Sequence, residues 1–117
     1  MPIPPAQVAD DDLLHRRLAP SGHMNPDGTV ASNAFKLHGR PDPEISVDLA
    51  RLTTEFESLA RARHPQVRLG VLRAGDVRAL GLTVTHAPTE DNPSHSLIRG
   101  NNSKATCAQL AEKTRVL

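Results

Sequence analysis

The sequence predicts an α+β fold: a small single domain, mostly antiparallel sheet, with two main helices packed on one face. Three observations carry that expectation. At 117 residues and 12.6 kDa the chain suits one domain. Short apolar-alternating segments recur along it, separated by ten prolines and seven glycines. Two segments carry a capping residue ahead of an apolar stripe at helical spacing, and too few residues remain for a long doubly wound parallel sheet.

Residues 1–12 read as a flexible Pro-rich, acidic tail, from Met1-Pro2-Ile3-Pro4-Pro5 to Asp10-Asp11-Asp12, with residues 13–117 as the domain. Leu13–Leu18 is the first predicted strand, with Leu14, Arg16 and Leu18 on one side and Leu13, His15 and Arg17 on the other. Pro20-Ser21-Gly22 ends it, and Asn25-Pro26-Asp27-Gly28 is a turn in which Pro26 presets φ. A second strand is expected over 30–37, with Asn33, Phe35 and Leu37 sharing a face. It would pair with 44–50, the cleanest strand signal, where Ile45, Val47 and Leu49 oppose Ser46 and Asp48.

The best helix signal covers 55–63. Thr54 and Glu57 complete a capping box, Pro65 stops the helix, and Leu52, Phe56, Leu59 and Ala60 form its apolar stripe. If that stripe packs on the sheet, Phe35 and Phe56 meet. A strand over 67–72 follows, then a single helical turn over 77–80 capped by Asp76 and stopped by Gly81. Residues 82–86 and 95–99 are two further strands that can pair as a hairpin. Ser103 caps a last helix over Lys104–Lys113, with Cys107, Leu110 and Ala111 on one stripe.

Composition narrows function mainly by exclusion. There is no Trp or Tyr and only two Phe, so 14 Leu, 14 Ala and eight Val must build an aliphatic core. Modules that stack bases on aromatic platforms lack their material here. Fourteen basic and 13 acidic residues leave a formal charge of +1, which gives no basis for general nucleic-acid binding. No apolar run is long enough to cross a bilayer. One cysteine, Cys107, and an N-terminus without a signal-peptide pattern point to the reducing cytoplasm.

The candidate chemistry is sparse. His95 follows the Asn92-Pro93-Ser94 turn, which can hold a general acid or base in place. Asp48 lies on the polar side of a good strand. Arg16 and Arg17 face opposite sides of theirs, so one of them needs a carboxylate or an anion. Arg17, Asp48 and His95 are therefore the catalytic candidates, and Ser103 with Lys104, at a helix N-terminus, the anion-binding candidates. The six histidines form no metal-ligand spacing; His86, His95 and Cys107 are the only set worth naming for zinc. No cofactor is expected.

The segments 13–18, 31–35, 45–50 and 92–100 occur in an order that resembles a group of small bacterial proteins of unknown activity. The resemblance covers most of residues 13–114. It implies no catalytic residue, but it directs attention to Arg17, Ser46, Asp48 and His95 as a shared face. The expectation for function is a small cytoplasmic interaction module or accessory subunit, with a protein partner or self-association. The alternative is a small enzyme or toxin-like effector whose Arg/Asp/His cleft acts on a nucleotide or other anionic substrate.

Overall fold

Among the described residues, six strands form one antiparallel sheet in the order β4-β5-β2-β1-β3-β6. They are β1 (Leu13–Leu18), β2 (Glu44–Leu49), β3 (Arg68–Arg73), β4 (Thr83–His86), β5 (His95–Arg99) and β6 (Arg115–Val116). Three α-helices join them: α1 (Glu55–Ala60), α2 (Ala74–Arg78) and α3 (Lys104–Lys113). The computed structural model describes residues 6–36, 44–62, 66–100 and 103–117. No helix among them is long and apolar enough to cross a membrane.

Alternation within each strand, combined with register, sorts the side chains into two faces. Leu14 pairs with Leu49 and Leu72, and Ile45 with Ile98 and through it Val84. These residues make one apolar face. Phe35, Val77, Cys107 and Leu110 pack onto it and complete the core. One residue over in each strand, His15 pairs with Asp48 and Asp48 with His95, and these lie on the opposite face. A polar row thus crosses three strands behind the core.

The α+β class and the antiparallel sheet are as the sequence predicts. The helices, however, divide between the faces. α3 covers the apolar face, with Cys107, Leu110 and Ala111 buried. α1 lies on the polar face and buries a single residue, Ser58. Its stripe points outward: Phe56 is 81% exposed, and Leu52 and Leu59 are exposed as well. Phe35, fully buried on the other side, does not meet Phe56. The reason is chemical. The apolar residues of this face, Leu69 and Val71, lie on β3, whereas the buried Asp48 carboxylate needs donors, and the helix turns Ser58 inward to supply one.

Three further expectations are corrected, and one element was not foreseen. The stretch from Val30 is not a strand pairing with β2. Val30 makes one isolated bridge to Met24, and Ser32–Phe35 is a 3-10 turn. A strand would have put Asn33 beside Phe35 on one face; the turn buries Ala34 and Phe35 and leaves Asn33 exposed. Leu37 lies outside the described residues, and β2 pairs instead with β1 and β5. α2 begins at Ala74, before Asp76. Its cap is backbone from the N-terminal segment: Ala74 N–H donates to Asp12 O at 2.9 Å, and Gly75 N–H to Asp10 O at 2.8 Å. Of the segment read as a tail, residues 6–12 are therefore anchored. Val8 is buried, Arg78 bonds Asp10, and Arg51 bonds Asp12. Residues 1–5 lie outside the described residues. Finally, β6 carries no alternation long enough to read, and its two residues are held by pairing with β3.

Candidate functional site

Past the Leu14–Leu49 and His15–Asp48 pairs the β1–β2 ladder ends, and two consecutive arginines fill the opening. Arg16 enters on the apolar face. Its Nε and Nη2 donate to Ala34 O at 3.1 and 2.7 Å, and Nη1 donates to Ser46 O at 2.9 Å. The guanidinium lies over the Phe35 ring at 5.9 Å. Burial, with Arg17 next to it, brings its pKa down to about 10. Arg16 thus stands in for missing ladder donors and ties β2 to the 3-10 turn.

Arg17 enters on the polar face, where Asp48 is the centre. The Asp48 side chain is fully buried and accepts from four side chains. Arg17 Nη1 donates to Oδ2 at 2.7 Å, Ser58 Oγ to Oδ2 at 2.8 Å, Arg61 Nη1 to Oδ2 at 3.3 Å, and Asn92 Nδ2 to Oδ1 at 2.8 Å. Burial alone would raise the carboxyl's pKa. The bonds from Asn92 and Ser58 and the Arg17 charge outweigh burial and hold it below the ordinary value. Asp48 is therefore a saturated carboxylate with no path to solvent.

The surrounding groups close the cluster. The Ser58 hydroxyl proton goes to Asp48, so the hydrogen on His15 Nδ1, 3.0 Å away, donates to Ser58 Oγ. Burial lowers the His15 pKa, and the nearby Asp48 and Glu55 charges oppose that only in part. Arg61 also donates to Thr53 Oγ1 at 3.0 Å and Ser94 Oγ at 3.2 Å. Ser94 in turn donates to Asn92 Oδ1 from both its hydroxyl, at 2.6 Å, and its backbone N–H, at 3.1 Å. The cluster thereby links β1, β2, α1 and the loop entering β5.

The three catalytic candidates do share a face. Arg17 and Asp48 form an ion pair, and Asp48 and His95 are cross-strand partners. His95 is half-buried and pinned: its Nδ1 meets Ala87 O at 2.8 Å and its Nε2 lies 3.4 Å from Ser46 Oγ. Its N–H closes the expected turn onto Asn92 O at 3.1 Å. The two anion-binding candidates stand apart from this face. Ser103 Oγ accepts from Thr106 N–H at 3.1 Å, so it caps its own helix, and Lys104 is exposed.

His86 and His95 sit on opposite faces of the hairpin, because His86 pairs with Ser96. His86 accepts from Ala6 N–H at Nδ1 and donates from Nε2 to Pro93 O, both at 2.7 Å. Cys107 is buried, and burial raises its thiol pKa. No three His, Cys, Asp or Glu residues among the described ones come together as a metal site.

Six members of the cluster escape sequence reasoning: His15, Thr53, Ser58, Arg61, Asn92 and Ser94. The capping box fixes where α1 begins but not which of its sides faces the sheet. One signal was present. Ser58 and Arg61 are three residues apart and so share a helical side opposite Phe56.

The outward side of α1 is the second feature of this region. Thr54 Oγ1 accepts from Glu57 N–H at 3.1 Å and starts the helix. Phe56 and Leu59, three residues apart, then form an exposed apolar stripe on α1, and Leu52 is exposed in the 3-10 turn Ala50–Leu52 before it, with the extended Thr53 and Thr54 between. A separate open cleft of about 670 Å³ lies between the 25–32 turn, α3 and β6; none of the sequence candidates lines it. No protein-family model, curated protein or solved structure matches this chain.

Proposed function

We propose that this protein is a small cytoplasmic interaction module, an accessory subunit that docks a protein partner through the outward stripe of α1. One observation carries this reading: Phe56 is 81% exposed although it is one of only two aromatic residues in the chain. Exposing a Phe, with Leu59 three residues further along the same helix, forgoes about 2 kcal/mol or more of burial. The Asp48 cluster pulls the other side of the helix inward, so the outward orientation follows from specific bonds. Large exposed apolar side chains that adjoin one another mark interaction surfaces.

The test compares wild type with Phe56→Ala in affinity capture and in size-exclusion chromatography with light scattering. Wild type should retain a partner that Phe56→Ala loses, with equal thermal stability of the two proteins. A monomer with no Phe56-dependent association would overturn the reading.

The alternative, a small enzyme or effector acting on an anionic substrate, has one supporting observation: Arg17 and His95 flank Asp48 on the same face. The saturation of Asp48 leaves it no free lone pair aimed at solvent, so that alternative rests on Arg17 and His95 alone. Inorganic phosphate titrated against the protein separates the two readings. Saturable shifts of the His95 ring resonances support the alternative; unchanged resonances favour the interaction module.

A further inference from the structure

We infer that the α1 stripe docks a helix whose apolar face is flanked by lysine or arginine, and not a second copy of this chain. This rests on the interaction reading above and adds the partner's chemistry. The argument comes from which charges around Phe56 are already used. Arg61, at the C-terminal end of α1, is bound to Asp48 at 3.3 Å, and Arg51, just before it, to Asp12 at 3.0 Å. Glu55 and Glu57 bracket Phe56, are exposed, and take part in no ion pair among the described residues. Glu57 Oε1 lies 3.1 Å from the Thr54 hydroxyl, which leaves its other oxygen open. Among the described residues, the uncommitted charges at the border of the stripe are therefore negative.

Self-association fits this border poorly. A two-fold contact sets stripe against stripe, so carboxylates approach carboxylates while Arg51 and Arg61 are committed within their own chain. Area makes the contact a transient one whatever docks there. A stable interface needs roughly 800 Å² per partner, and three side chains supply about half of that or less. A short convex helix carrying one aromatic knob suits a transient contact with the apolar face of another helix. Basic flanks on that helix would meet Glu55 and Glu57, raising the association rate and fixing orientation.

The experiment uses the full chain and two synthetic helical peptides with an identical leucine face, one flanked by lysine and one by glutamate. Binding is followed by fluorescence anisotropy and by backbone amide shifts. The lysine peptide should bind at least about tenfold more tightly than the glutamate peptide, with shifts centred on residues 52–61. Glu55→Gln/Glu57→Gln should reduce that preference to about threefold or less, and Phe56→Ala should abolish binding of both peptides. The glutamine pair preserves side-chain shape, and its thermal midpoint reports whether α1 still folds. Equal affinity for the two peptides, a preference that survives the glutamine pair, or no binding of either peptide overturns the inference. So does a concentration-dependent dimer dissolved by Phe56→Ala. If Phe56→Ala weakens association while charge has no effect, only the partner's chemistry fails; if Phe56→Ala changes no association, the interaction reading fails with it.

Discussion

Two arginines, a serine and an asparagine converge on the Asp48 carboxylate, and each would be left differently by its loss. Arg17 and Arg61 are about a quarter exposed, so water can partly replace the missing charge; Ser58 and Asn92 are buried. Removing one partner of a buried pair costs ~3–5 kcal/mol. Asp48→Asn should therefore lower stability by about 3 kcal/mol, at the bottom of that range, as read by urea denaturation. The same residues set the pH response. The folded-state pKa of Asp48 is below its unfolded value, so its contribution is present above about pH 4 and is lost as pH falls through the lower folded value. Burial lowers the pKa of His15, and likewise of His23, whose Nδ1 accepts from Ala19 N–H. For both, the unfolded chain takes up a proton first. Stability should thus decline as pH drops from about 7 through 6.5. Urea midpoints measured across that window should flatten in His15→Gln and again in His23→Gln. An unchanged slope in both variants would show that neither ring is held neutral.

At the scale of elements, sequence reading placed five of the six strands and the starts of α1 and α3, because alternation and capping are local signals. It failed where the deciding partner is distant. The 30–37 stretch has strand-like residues, yet the need to bury Ala34 and Phe35 together bends Ser32–Phe35 into a 3-10 turn under Arg16. α1 has a good apolar stripe, yet Ser58 rather than Phe56 faces inward, because the surface beneath it holds Asp48 and His15. The candidate site was half legible. Arg17, Asp48 and His95 stand on one face, but the residues that seal Asp48 come from α1 and the 92–94 turn, and only the tertiary fold brings those in. β6 depends on a close approach at Gly70. A Cβ there would lie 2.6 Å from Thr114 Cγ2 and 3.0 Å from Leu18 Cδ1. Gly70→Ala should cost ~1–3 kcal/mol. It should also speed hydrogen exchange at the Leu117 amide, which bonds Leu69 O at 2.9 Å. Protection that matches wild type there would mean β6 tolerates the added methyl.

The sheet carries the main core on one face, and on the other a polar row, beside the buried Leu69 and Val71, that orients one short helix. Phe35 is buried and serves stability, and Phe56 is exposed and serves the docking proposed above. That division is the central claim, and paired denaturation of Phe35→Ala and Phe56→Ala tests it most directly. The structure predicts a loss of about 3–5 kcal/mol for Phe35→Ala. For Phe56→Ala it predicts a change within about 0.5 kcal/mol. A loss of several kcal/mol for Phe56→Ala would place the α1 stripe in the core and contradict the account.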